Sequence, residues 1–214
     1  MRFIIILIYL LAGPASYAQP PETCSCLWQG SFSRITDHAD LIVSGVVISN
    51  KGNSLDFSIS QTLIDRKTNG EEFQPEIRIW GANGKECRPP ITHFPIDSTW
   101  VMALKKITTD IPGGFNPNTP NISYGRINDY YLSSCGAYWL HVHEDSSSSY
   151  VTGNLTNKNR WQWQDEAMNP VLIDLIEAYI HGTIPENVLV KAAKPTSHVK
   201  ELMQKTKQFL NDQQ

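Results

Sequence analysis

The sequence predicts a mainly β protein, an antiparallel barrel or sandwich of about five strands, with a helical appendage at its C-terminal end. Three observations carry this. Strand-like runs follow one another between Leu41 and His143, separated by turn residues and by no helical pattern. Of four cysteines, Cys24 and Cys26 stand just ahead of those runs and Cys87 and Cys135 are threaded among them. Beyond a serine tract at 146–149, the apolar spacing changes from alternation to that of a helix.

The N-terminal residues set the redox context. Arg2 precedes an apolar run over 3–12, and Ser16-Tyr17-Ala18 presents small residues at the recognition positions, so residues 1–18 read as a signal peptide cut after Ala18. The run is too short to span a bilayer comfortably, and the polar end at 210–214 offers no tail for an anchor, so no membrane insertion is expected. A net charge of −3 and a pI near 6.1 give no general attraction to nucleic acid. Export favours disulfides over an all-cysteine zinc site. Four cysteines allow three pairings, and ring strain disfavours the one that joins Cys24 to Cys26. Each of those two then seeks a distant partner, which makes residues 24–26 a rigid exposed ridge.

Residues 19–145 hold the strand material. Ser31 or Ser33 is expected to cap a short helical piece running toward His38. Residues 41–48 are rich in β-branched side chains, with Gly45 marking a bulge or barrel bend. Residues 55–60 alternate apolar and polar, 76–80 and 99–104 read as further strands, and 130–135 with 139–143 supply the last strand material. Turns are expected at 50–53 and 67–70, and a Pro- and Gly-bearing excursion covers 112–120. Residues 146–214 form the appendage. Its serine tract reads as a linker, Asn169 and Pro170 start one helix, Gly182 closes it, and a second helix begins near Ser197. The stripes Val171, Leu172, Leu175, Ile176, Tyr179, Ile180 and Val199, Leu202, Met203, Phe209, Leu210 are expected to pack on the barrel.

Over roughly residues 24–143 the chain resembles the N-terminal netrin-like domain of the tissue inhibitors of metalloproteinases. The likeness rests on Cys24-Ser25-Cys26 at the start, the run from Asp37 through the first strand, Ile77-Arg78-Ile79-Trp80 followed by Cys87, residues 100–105, and Tyr131 to Cys135. The ordered spacing of the four cysteines is its specific part. The resemblance implies bridges Cys24–Cys87 and Cys26–Cys135 and a five-stranded antiparallel barrel of the oligonucleotide/oligosaccharide-binding type. It also implies a non-enzymatic inhibitor without a cofactor. In such an inhibitor the α-amino group and carbonyl of Cys24 chelate the catalytic zinc of a metalloprotease, Ser25 enters the specificity pocket, and Cys26 and Leu27 continue the ridge. Three features differ from the family pattern: residues 19–23 precede Cys24, a third early cysteine is missing, and a helical segment stands where the family has a small disulfide-rich domain. The alternative reading is an extracellular or cell-surface interaction domain that inhibits no protease.

Other chemistry is thinner. Cys135-Gly136-Ala137-Tyr138-Trp139 superficially matches a cysteine-protease run, but Tyr138 stands where that pattern has its nucleophile. No nucleophile elbow, zinc-protease helix motif or phosphate-cradling glycine loop occurs. His141 and His143 lie on one face of a strand as a weak candidate metal pair, with His93 the nearest guess for a third ligand. Asn121 and Asn154 head glycosylation sequons, and Trp161 and Trp163 are read as packing residues of the appendage.

Overall fold

The computed structural model describes residues 24–66, 74–84, 86–109, 125–144, 148–156 and 170–193, with single helical positions at Ser197, Glu201, Gln204, Lys205, Gln208 and Asn211. The expected signal peptide, residues 19–23, the 67–70 turn, the 112–120 excursion, Asn121, Trp161, Trp163 and Asn169 lie outside them. So do Val199, Leu202, Met203, Phe209 and Leu210 of the last stripe.

The chain opens with one helical turn, α1 (Phe32–Ile35), and continues through β1 (Leu41–Lys51), β2 (Ser54–Asp65), β3 (Glu76–Trp80), a 3-10 turn (Ile91–His93), β4 (Thr99–Lys106), β5 (Tyr130–Tyr131) and β6 (Trp139–Glu144). β7 (Ser149–Thr152), β8 (Val171–Leu172), α2 (Ile173–Ile180) and α3 (Glu186–Ala192) follow. β1 lies antiparallel to both β2 and β4, β2 to β3, and β5 joins β3 to β4, so five strands close in the order β1-β2-β3-β5-β4-β1. The expected barrel is present, with one refinement: it is mixed, because β3 and β5 run parallel.

The last barrel strand is broken. β4 pairs with β5 through Lys105 and Lys106, and with β6 through 99–102. Between the two, residues 132–137 leave the ladder and set Cys135, itself buried, against Cys26, and Tyr138 O rejoins β4 by accepting the Ala103 N–H at 2.8 Å. The expectation of continuous strand over 130–135 is corrected accordingly. Along its other edge β6 pairs with β7 through 141–144, and β7 pairs with β8.

Gly45 sits where β1 bends. The register against β2 slips between Ser44 and Gly45. A Cβ at Gly45 would overlap the Ser58 carbonyl oxygen and lie 2.8 Å from a Phe57 ring carbon. The glycine is there because two strands approach too closely for any side chain.

The serine tract is not only a linker: Ser149 already belongs to β7. Pro170 does not open a helix either. Val171 and Leu172 pair with Val151 and Tyr150, and α2 starts at Ile173. A sheet edge offered by β7 outweighs the local helical pattern. The C-terminal end of α2 is as expected, with Gly182 at φ 73° and its N–H donating to Tyr179 O at 2.9 Å.

One apolar core runs through the molecule. Phe32, Ile35, Leu41, Phe57, Leu104, Tyr138 and Leu140 are buried together with Val151, Leu155, Val171, Ile176 and Leu189 of the later segments. Asn154 and Leu155 form a strap over α1. Their carbonyls accept the N–H groups of Phe32 and Ser33 at 2.9 and 3.0 Å, which are first-turn donors that no side-chain cap satisfies. With Leu155 and Thr156 both buried, the Asn154 sequon is part of this strap.

Candidate functional site: the disulfide-riveted ridge

Residues 24–29 are all exposed, yet they are fastened at several points. Cys24 bridges to Cys87, in the loop after β3, with a Cα–Cα distance of 5.2 Å. Cys26 bridges to Cys135, in the break of the last barrel strand, at 5.8 Å. All four sulfurs lie within 4.8 Å of one another. The two anchoring loops are themselves tied, since Ser134 N donates to Cys87 O at 2.9 Å. Just past the bridges, Gln29 N donates to Cys135 O at 2.6 Å and Ala137 N to Gly30 O at 3.0 Å.

Side chains complete the mount. The Tyr138 hydroxyl donates to Gln29 Oε1 at 2.5 Å. Gly136 lets α1 come close, because a Cβ there would meet Ile35 Cδ1 at 2.8 Å. Behind α1, Ser33 Oγ donates to Glu186 Oε1 at 3.0 Å and the Tyr179 hydroxyl to Ser33 O at 3.1 Å, so the late helices reach the base of the ridge.

The crest of this mount is apolar. Leu27 is 90% exposed and Trp28 51% exposed. Around Trp28 a shallow depression is lined by Gln29, Gly30, Arg34, Asp37 and His38. Large apolar side chains on a rigid backbone, rimmed by charge, match the anatomy of binding hot spots. Cys24, Ser25, Cys26 and Leu27 are thus brought together on one ridge. Sequence reasoning misses Trp28, although an apolar pair directly after a Cys-x-Cys was the available signal.

Burial raises the Tyr138 pKa, and the nearby Tyr131 and Asp40 add to it. The sign follows directly. A tyrosine whose folded pKa exceeds its unfolded value of about 10 contributes stability that is complete below that pH and lost as pH climbs through the folded value. Stability is therefore expected to fall above about pH 10, and Tyr138→Phe should flatten that fall in urea titrations made across the range. An equally steep fall in the variant would show that Tyr138 is not the group responsible.

The histidines occupy a different place. His141 and His143 lie in a row of rings on the outer face of β6, away from the ridge cysteines in sequence and in strand. The His141 centroid is 4.5 Å from Trp100 and 4.2 Å from His143, and His143 stacks on Tyr150 at 5.1 Å. His143 Nε2 is hydrogen-bonded to Thr152 Oγ1 at 2.9 Å. His93 touches Phe94 at the far end of the row, and among the described residues no third ligand joins His141 and His143.

Two disulfides, with no helix among the described residues long and apolar enough to cross a membrane, are compatible with an exported chain. Comparison with family models, with curated proteins and with solved structures returns no match.

Proposed function

We propose that the chain is an exported, non-enzymatic protein-binding module that uses the ridge at 24–28 as its contact. The observation that carries this is the pair Leu27 and Trp28, left in solvent on a backbone that two bridges hold still. Burying a side chain on a partner costs less when the backbone is already ordered, so an exposed apolar crest on a fixed mount favours binding over aggregation. Leu27→Ala and Trp28→Ala should each weaken partner binding by about 2 kcal/mol, roughly thirtyfold, with the thermal midpoint unchanged. Calorimetric titration against the partner reads this. Wild-type affinity in both variants would remove the ridge from the interface.

The specific form of this reading is inhibition of a zinc metalloprotease, in line with the family resemblance of the Cys24-Ser25-Cys26 start. A catalytic zinc keeps an open position that a free amine and a neighbouring carbonyl can fill. With residues 19–23 attached, the Cys24 nitrogen is an amide whose lone pair is lost to resonance. Protein beginning at Gln19 is therefore expected not to inhibit, and protein trimmed to begin at Cys24 is expected to inhibit. Assays of both forms against a panel of zinc endopeptidases, with mass spectrometry of the native N-terminus, test it. If the trimmed form is inert throughout, the inhibitor reading fails and an extracellular interaction domain remains.

A further inference from the structure

The ridge sulfurs form one cluster rather than two separate bridges. Sγ of Cys24, Cys26, Cys87 and Cys135 all lie within 4.8 Å of one another, the one group of three or more possible metal-ligating side chains so gathered among the described residues. We propose that in the reduced chain, with both bridges open, these four cysteines bind one zinc ion as a tetrahedral tetrathiolate. The ion is held by this chain's own sulfurs, apart from any zinc of a partner, so the site does not depend on what the ridge binds.

The dimensions suit such an ion. Zinc holds each thiolate at about 2.3 Å, which sets the sulfurs of a tetrahedral site about 3.8 Å apart. The cluster is already of nearly that size. The Cα atoms of the two pairs stand 5.2 and 5.8 Å apart, so rotation about χ1 is enough to spread the sulfurs around a common centre. Thiolate ligands favour zinc over the hard cations calcium and magnesium. Cys24 and Cys26 are exposed and Cys87 is half-buried, which gives the ion a way in.

Contacts other than the bridges also gather the ligands. Ser134 N donates to Cys87 O at 2.9 Å and joins the two anchoring loops. Next to Cys87, the Arg88 guanidinium lies over the Tyr131 ring, 4.6 Å from its centre, and Tyr131 ends the strand that leads to Cys135. The Cys135 N–H donates to Ser133 Oγ at 3.1 Å, and Cys135 O accepts from Gln29 N at 2.6 Å, which holds the ridge segment against it. None of these contacts uses a sulfur, so reduction removes none of them directly. Ligands gathered in advance lower the ordering cost of binding.

Two equivalents of a dithiol reductant open the two bridges, each delivering two electrons and two protons and closing to its own disulfide. Four thiols result, and metal binding passes up to four protons to the buffer, leaving four thiolates around one dication. In the chain before oxidation the thiols are present already and no reductant is needed.

The test uses the full chain, reduced with a dithiol under argon and freed of it by gel filtration, with cobalt(II) as a spectroscopic stand-in for zinc. One equivalent of cobalt is expected to give the visible bands of a tetrahedral ion with sulfur-to-metal charge transfer, and one equivalent of zinc should displace it. Zinc should then protect all four cysteines from iodoacetamide, read by peptide mass spectrometry, with one ion per monomer in native mass spectra. Cys26→Ser together with Cys135→Ser should weaken cobalt by more than about a hundredfold, because half of the ligands are gone. If the reduced chain loses its near-UV circular dichroism, zinc should restore it; if it keeps the signal, zinc should leave it unchanged. An octahedral cobalt spectrum, an ion shared between two chains, or a cysteine that zinc leaves open to alkylation overturns the site. So does zinc binding to a chain without tertiary signal, or equal cobalt affinity in the double variant. Partner binding through Leu27 and Trp28 is measured on the oxidised chain, so its failure leaves this result untouched.

Discussion

Removing residues 145–214 is expected to abolish cooperative folding of what remains. The deletion takes away Val151, Leu155, Val171, Ile176 and Leu189, all buried in the common core. At about 1.5–3 kcal/mol for each fully buried side chain, the loss is on the order of 10 kcal/mol, as large as the whole stability of a typical domain. It also strips the strap from the first turn of α1 and turns β6 into an unpaired edge. Near-UV circular dichroism and urea unfolding of a chain ending at Glu144 should show no fixed tertiary signal and no sharp transition. A truncated chain with an unchanged urea midpoint would mean that the later strands and helices dock without contributing.

Replacing Cys26 and Cys135 together by serine is the second large effect. The bridge closes a loop across 109 positions, and chain-entropy arguments give about 4–5 kcal/mol for a loop of that length. The melting temperature should fall by about 10–20 °C. The corresponding Cys24/Cys87 pair closes 63 positions and should cost nearly as much alone, since the dependence on length is logarithmic. The two losses are not expected to add, because the bridges share one ridge and adjoining loops. A loss below about 1 kcal/mol for Cys26/Cys135 would show that the ladder and core hold the ends together without it.

The barrel was legible because its strands announce themselves locally. Residues 41–48, 55–60, 76–80 and 99–104 carry β-branched runs or strict alternation, and each lies in an observed strand. The two cysteine pairs agree with those that the family resemblance implies. Other features depend on contacts that no local pattern encodes. β7 and β8 are short and polar or helix-like in sequence, and they exist because β6 presents an edge to pair with. The break after Tyr131 is dictated by where Cys135 must stand to meet Cys26, not by any breaker residue within 130–135. The stacking of Arg88 on Tyr131 was invisible for the same reason. Arg88 and Tyr131 are far apart in sequence, and only barrel closure brings them together.

Closure also fixes when the ridge comes into being. β1 completes its pairing only with β4, β3 is sealed only by β5 at Tyr130 and Tyr131, and Cys26 waits for Cys135. A chain that emerges from its N-terminus therefore exposes the ridge cysteines long before their acceptors arrive. Contacts of such separation make folding slow. Until those acceptors arrive, Cys24 and Cys26 are a pair of neighbouring thiols in an open chain. The ridge is thus synthesised early and is among the last parts of the molecule to take shape, since its mount is complete only once Cys135 and its neighbours are in place.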